Sequence, residues 1–159
     1  MKLDGSDLRI IAALQKNARQ TNLALADAIG LSPTPCLRRV RQLEEAGVIR
    51  GYRADIDRNK VGLNLTIFVG VKVERHQDDE AAKFVDTVTR WPEVISCHLV
   101  SGDIDFLLEV VAASMEDYEQ FVLQRLLKIR SVKDVRSNFA MRTYKTGGDL
   151  PVRQGDTKD

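Results

Sequence analysis

The stretch Gly30-Leu31-Ser32-Pro33-Thr34-Pro35 constrains the fold of this chain more than any other. Glycine readily takes the left-handed conformation that closes a helix. Two prolines so close together admit a helix only at its start, where the backbone N–H groups have no intrahelical acceptor to lose. One helix must therefore stop at Gly30 and another begin at Ser32 and Pro33. Ser32 falls at the N-cap, and because Pro35 has no N–H, its hydroxyl is expected to accept the N–H of Thr34. The helix that follows ends near Gly47. Before it, Leu23, Leu25, Ala26 and Ile29 form a short helix. Earlier still, Leu3, Ile10, Ile11 and Leu14, with Leu8 at the flank, form a helical stripe that Asp4 or Ser6 can cap. Helix, short helix, tight turn and longer helix is the order of a helix-turn-helix.

On a helical wheel begun at Pro33, Cys36, Val40, Leu43 and Gly47 gather on one side, and Thr34, Arg38, Arg41, Gln42 and Glu45 on the other. The second face suits double-stranded DNA: arginine pairs bidentately with guanine, glutamine with adenine, and either reaches phosphates. Ser32, Thr34 and Pro35 form the tip of this helix, with Arg39 at its flank. Residues 48–56 alternate like a strand and predict a small ribbon carrying Arg50 and Arg53; these and Arg39 suit phosphates. The alternative is a solvated helix face with Arg41 paired to Glu45. The preceding short helix, the turn at Gly30, the Ser32 cap and the basic ribbon that follows favour the first reading, and charge agrees with it: residues 1–60 hold 11 Lys/Arg against 7 Asp/Glu, whereas residues 61–159 hold 13 against 16.

Beyond residue 60 the pattern changes. Leu65 to Val73 reads as a strand, Asp79 to Arg90 as a helix with Ala82, Val85 and Val88 on its stripe, and Trp91-Pro92 as its stop. Val94 to Val100 and Ile104 to Ala112 read as strands about the turn Ser101-Gly102-Asp103. Ser114 caps a helix bearing Tyr118, Phe121, Val122 and Leu126, and Val132 to Tyr144 supplies a last strand. The fold class is α+β: an N-terminal winged helix-turn-helix followed by a ferredoxin-like βαββαβ domain. The expected domains are residues 1–60 and 65–145, with 146–159 a loose tail.

At the turn, Gly102 permits a tight reversal, and period two puts Asp103 and Asp105 on one face. Such a tip offers N–H groups to a carboxylate and carboxylates to an ammonium. Read from residues alone, it also fits aspartates that simply face water. Two carboxylates without further oxygen ligands make a poor Ca²⁺ site. Cys36 and Cys97 stand 61 positions apart and read as isolated thiols. With only His76 and His98, no nucleophile–base spacing and no phosphate loop, the expectation is no enzyme, no metal and no cofactor. The N-terminus has no signal-peptide core and no apolar run approaches ~18 residues, so a cytoplasmic protein without a membrane span is expected.

The segments Leu25-Ala26-Asp27-Ala28-Ile29-Gly30-Leu31-Ser32-Pro33-Thr34-Pro35, Arg38-Arg39-Val40, Leu43-Glu44-Glu45-Ala46-Gly47-Val48-Ile49 and Gly51-Tyr52 resemble the DNA-binding domain of Lrp/AsnC-type (leucine-responsive, feast/famine) transcription regulators. Pro92-Glu93-Val94, Gly102-Asp103-Ile104-Asp105 and Tyr118-Glu119-Gln120-Phe121 resemble that family's effector-binding, oligomerising domain. The similarity spans about residues 3–145. It implies a sequence-specific regulator that binds double-stranded DNA, forms dimers and then tetramers or octamers, and responds to an amino acid or related metabolite. Carried onto this chain, the effector residues are His98, Leu99, Gly102, Asp103 and Asp105, with Ser137 on the last strand. His98 and Ile104 depart from the pattern, standing where many members have an aromatic residue. Two other functions accompany the resemblance: a nucleoid-organising protein of low specificity, and a tetrapyrrole decarboxylase related to the family.

Overall fold

The computed structural model describes residues 1–74 and 78–152; His76 lies outside them. The first helix, α1 (Gly5–Lys16), starts at a reciprocal cap: Asp4 accepts the N–H groups of Ser6 and Asp7 at 2.8 and 2.9 Å, and Asp7 accepts that of Asp4 at 3.0 Å. Helix α2 (Asn22–Ile29) is capped by Thr21 and closed by Gly30 at φ +71°, with the Leu31 N–H reaching back to the Ala26 carbonyl at 2.9 Å. Helix α3 (Pro33–Glu45) follows immediately. Ile10, Leu25, Ala26, Ile29, Cys36 and Leu43 close a small core between the three helices. Each large apolar side chain buried there contributes roughly 1.5–3 kcal/mol. Leu23, placed on the α2 stripe by sequence, is instead largely exposed.

The anticipated ribbon over 48–56 does not form. Val48 and Ile49 hydrogen-bond back to the Leu43 carbonyl, and residues 50–57 then run exposed without ladder partners. Alternation describes a half-buried strand, and this segment has no sheet in its own unit to bury a face against. Tyr52 instead turns onto α3, donating its hydroxyl to Glu44 at 2.8 Å. The described chain divides into two compact units: Met1–Asp55, to which residues 145–152 return, and Ile56–Tyr144. Leu150 is held on α1 through Gln15, whose amide donates to its carbonyl at 3.2 Å and accepts its N–H at 2.6 Å.

The second unit is a four-stranded antiparallel sheet in the order β2-β3-β1-β4, formed by β1 (Leu65–Val73), β2 (Val94–Leu99), β3 (Phe106–Ala112) and β4 (Val132–Phe139). Ile67, Val69, Val71 and Val73, with Phe106, Leu108 and Val110, point to one face by period two. There they meet Phe84 and Val88 of α4 (Asp78–Val88) and Tyr118 of α5 (Met115–Gln120). On α4, Val85 and Val88 face the sheet as expected, together with Ala81 and Phe84, whereas Ala82, also placed on this stripe by sequence, is exposed. After α5 the chain widens into a π turn, Phe121–Arg125, and tightens again over Leu126–Lys128. The wide turn lets Phe121 and Leu126, five apart, both enter the core. No helix of the described residues is long and apolar enough to cross a membrane.

Candidate DNA-binding face and effector hairpin

The start of α3 is built mainly by backbone. Ser32 has the N-cap conformation (φ −74°, ψ 153°) and its carbonyl accepts the Cys36 N–H at 3.2 Å, but its hydroxyl makes no cap bond to Thr34. A cap hydroxyl most often serves the N3 N–H, and Pro35 occupies that position. Asn22, overlooked in the sequence, supplies a different tie. Its side-chain N–H donates to the Pro33 carbonyl at 2.8 Å, fastening the start of α2 to the start of α3. Ser32 and Thr34 stay exposed at the tip and Pro35 is half-buried.

Cys36 and Leu43 are fully buried, so the opposite face of α3 points outward. Thr34, Arg38, Arg41 and Gln42 line one shallow groove with Leu37 and Glu45. Arg38 and Arg41 are exposed and enter no ion pair with any described residue; the Arg41–Glu45 pairing does not occur. Arg50 and Arg53 are likewise exposed, on the extended segment after α3. These four guanidinium groups are available to an external anion.

Arg39 is not. Its Nη1 lies 2.7 Å from Asp4 and 2.8 Å from Asp7, the same two carboxylates that cap α1. Asp7 is 3% exposed, and a carboxylate so buried requires a charged donor. The backbone N–H of Asp7, with Arg39 beside it, holds the Asp4 carboxyl below its ordinary value. The phosphate role expected of Arg39 therefore gives way to a bolt between α1 and α3.

In the second unit, β2 and β3 pair up to Leu99 and Phe106, and the chain reverses through Gly102 at φ +117°. His98 pairs across from Leu107; His98, Leu99, Gly102 and Asp103 are all exposed at this end of the sheet. Asp105 does not join them. Its backbone N–H donates to the Val71 carbonyl at 3.0 Å, and its Oδ2 accepts the Val73 N–H at 2.9 Å. The β1–β3 ladder ends at Val71 and Phe106, and the Asp105 carboxylate extends it by one bond. The shared face expected for Asp103 and Asp105 fails because residues 101–105 form a loop, where period two has no meaning.

Ser137 is also set apart. Strand β4 is the sheet edge opposite β2, so within one chain Ser137 stands three strand spacings from the hairpin strand, roughly 14 Å. It faces the helices and shares a 2.5 Å hydrogen bond with the Tyr118 hydroxyl. Burial raises the Tyr118 phenol, against the opposing pull of that bond. With Met115, Val122, Leu123 and Phe139 they line an apolar cleft of about 720 Å³. Tyr118 was legible only as a core residue in the helical stripe. Ile104 lies over Gly70 of β1: a Cβ added at Gly70 would sit 3.0 Å from its Cδ1. The described residues hold no group of three His, Cys, Asp or Glu able to bind a metal ion.

Residues 66–150 match the sequence profile of the Lrp/AsnC ligand binding domain, and residues 3–50 match that of a winged helix-turn-helix DNA-binding domain. The leucine-responsive regulatory protein of Rhizobium meliloti is 40% identical over 152 residues, 96% of this chain and 97% of that protein. The DNA-binding transcriptional activator DecR of Escherichia coli is 36% identical over 94% of this chain and 99% of its own. A transcriptional regulator from Neisseria meningitidis, crystallised with L-methionine, superposes with a TM-score of 0.89 at 39% identity, covering 94% of this chain and 97% of that one.

Proposed function

Since the chain belongs to the Lrp/AsnC family of transcription regulators, we propose that it is a sequence-specific regulator whose grip on DNA, or whose assembly, is set by an amino acid. The observation that carries the DNA half is the outward face of α3. It presents Arg38, Arg41, Thr34 and Gln42, whose side chains have no partner among the described residues, on a helix whose roll is fixed by Cys36, Leu43 and the Arg39 bolt. Arg38, Arg41 and Gln42 have the donors that read base edges. Ser32, Arg50 and Arg53 are suited to phosphates. The chain acts as a homodimer that assembles further in the cytoplasm, because one recognition helix reads only a few base pairs and two raise affinity together.

The effector half rests on the hairpin rim. Gly102 leaves backbone N–H groups open to a carboxylate, and Asp103 offers a charge to an ammonium. The Neisseria regulator solved with L-methionine supports an amino acid as the ligand class. In this reading His98 and Leu99 shape the rim, Asp105 braces it from beneath, and Ser137 reaches a ligand only from a neighbouring copy. The test is fluorescence anisotropy at fixed salt, comparing a duplex selected by the protein from a random pool with a scrambled duplex, with and without a panel of amino acids. A preference of at least ~10³-fold for the selected duplex is expected. Equal affinity for both would leave the nucleoid-organising alternative in its place. Unchanged binding and unchanged sedimentation across the panel would overturn the effector half.

A further inference from the structure

Leu37, in the second turn of α3, is 40% exposed and belongs neither to the core of the first unit nor to the layer packed against it. A lone leucine on a protein surface is ordinary. This one is set apart by what surrounds it. At 100° per residue it stands about 60° from Thr34 and about 40° from Arg41 around the helix. With these two, Arg38 and Gln42 it lines the shallow outer groove of α3, of about 360 Å³. Arg38 and Arg41 have no ion-pair partner among the described residues. The acids nearby lie two turns farther along the helix: Glu44, whose carboxylate accepts the Tyr52 hydroxyl at 2.8 Å, and Glu45 at the far end of the groove.

Whatever covers Leu37 must combine an anionic exterior with a small apolar group. Double-stranded DNA has both. Its phosphates answer the guanidinium groups, and in its major groove the apolar group that a base edge presents is the 5-methyl of thymine. A recognition helix sets its N-terminal residues against base edges, and Leu37 lies in that half of α3. The N–H donors of Arg38, Arg41 and Gln42 select purine acceptors, and none of them detects a methyl group.

With α3 read as the DNA-facing helix, we infer that Leu37 is a specificity-determining residue that recognises thymine through contact with its 5-methyl group. The contact takes the methyl and the leucine tip out of water together and uses no hydrogen bond. Burial of one methyl corresponds to about fourfold in affinity for each thymine so read. Cytosine at the same position sets a polar amino group against the leucine, so Leu37 also selects thymine over cytosine.

Fluorescence anisotropy of the full-length protein at fixed salt, on the duplex it selects from a random pool, decides the matter. Each thymine is replaced in turn by deoxyuridine, which removes the 5-methyl and keeps every hydrogen-bonding group. Wild type is expected to lose about fourfold in affinity at one thymine of each half-site. In L37A the same replacement should make no difference, whereas L37M, which keeps a long apolar side chain, should retain the loss. Because Leu37 stands outside the core, L37A is expected to keep the wild-type urea midpoint. A selected duplex in which no thymine is sensitive to its methyl overturns the assignment. So does a loss that persists in full in L37A, which places its origin in DNA stacking or at the Thr34 methyl. Either result leaves the DNA-binding reading standing, provided that the selected duplex is still preferred over the scrambled one. Equal affinity for those two duplexes overturns both.

Discussion

The outer face of α3 and the β2–β3 hairpin display polar groups in opposite ways. Along α3, neighbouring side chains separate by 100° per residue, so Arg38 and Arg41 point out while Arg39 between them folds onto Asp4 and Asp7. The helix sorts its arginines by angle alone. At the hairpin, exposure is decided by where the ladder stops: Asp103 lies past the last pair and faces water, and Asp105 lies against it and completes it. In both places one residue of the expected ligand set holds the scaffold instead. The difference is that the arginine joins two helices, whereas the aspartate finishes one strand.

The largest effect that would test this contrast is at Asp105. Asp105→Ala should leave the Val73 N–H buried without an acceptor and lower the stability of the second unit by about 3 kcal/mol, read from urea unfolding. Unchanged stability with a lost amino-acid response would move Asp105 back to the ligand. Next comes Arg38→Ala, expected to reduce discrimination between selected and scrambled duplexes by about 1–3 kcal/mol with no change in unfolding midpoint. Arg39→Ala should do the reverse. It strands the Asp7 carboxylate, costs about 1–2 kcal/mol of stability, and leaves the slope of log affinity against log salt intact. Arg53→Ala, by comparison, should flatten that slope by about one. If Arg39→Ala flattens it too, the bolt is also a phosphate contact.

The smallest effect concerns Tyr52, whose phenol is pushed up to about 12 by partial burial and by its hydrogen bond to the Glu44 carboxylate. A folded-state value above the unfolded one means that the contribution is present in full below about pH 10 and fades as pH rises toward 12. Tyrosine absorbance titrated with alkali should show this residue ionising late, and Glu44→Gln should bring it earlier. An ordinary midpoint would mean that the segment after α3 is not held against the helix.

The helices of the first unit were legible because 3.6-residue periodicity, Gly30 and the two prolines all demanded the same boundaries. The buried set Cys36 and Leu43 followed directly. Residues 48–56 misled because alternation records which side chains are apolar, and a strand also needs a partner edge. Arg39 escaped because its partners sit 32 and 35 residues earlier, and no local spacing relates them. Ser137 was placed with the hairpin by resemblance alone; the strand order puts it at the far edge.

The contact between Gly70 and Ile104 carries an evolutionary consequence. The hairpin lies close enough to β1 that the smallest possible side chain at 70 would press on Ile104, although the backbone at 70 would itself accept alanine. Size at these two positions is therefore one shared quantity. A lineage that places a slimmer residue at 104 inherits an empty space beside β1, and the simplest repair is a larger residue at 70; with glycine at 70, a bulkier residue at 104 has no such repair. The pair should covary among descendants of this chain, so that a smaller residue at the hairpin leaves its trace in the middle of a neighbouring strand.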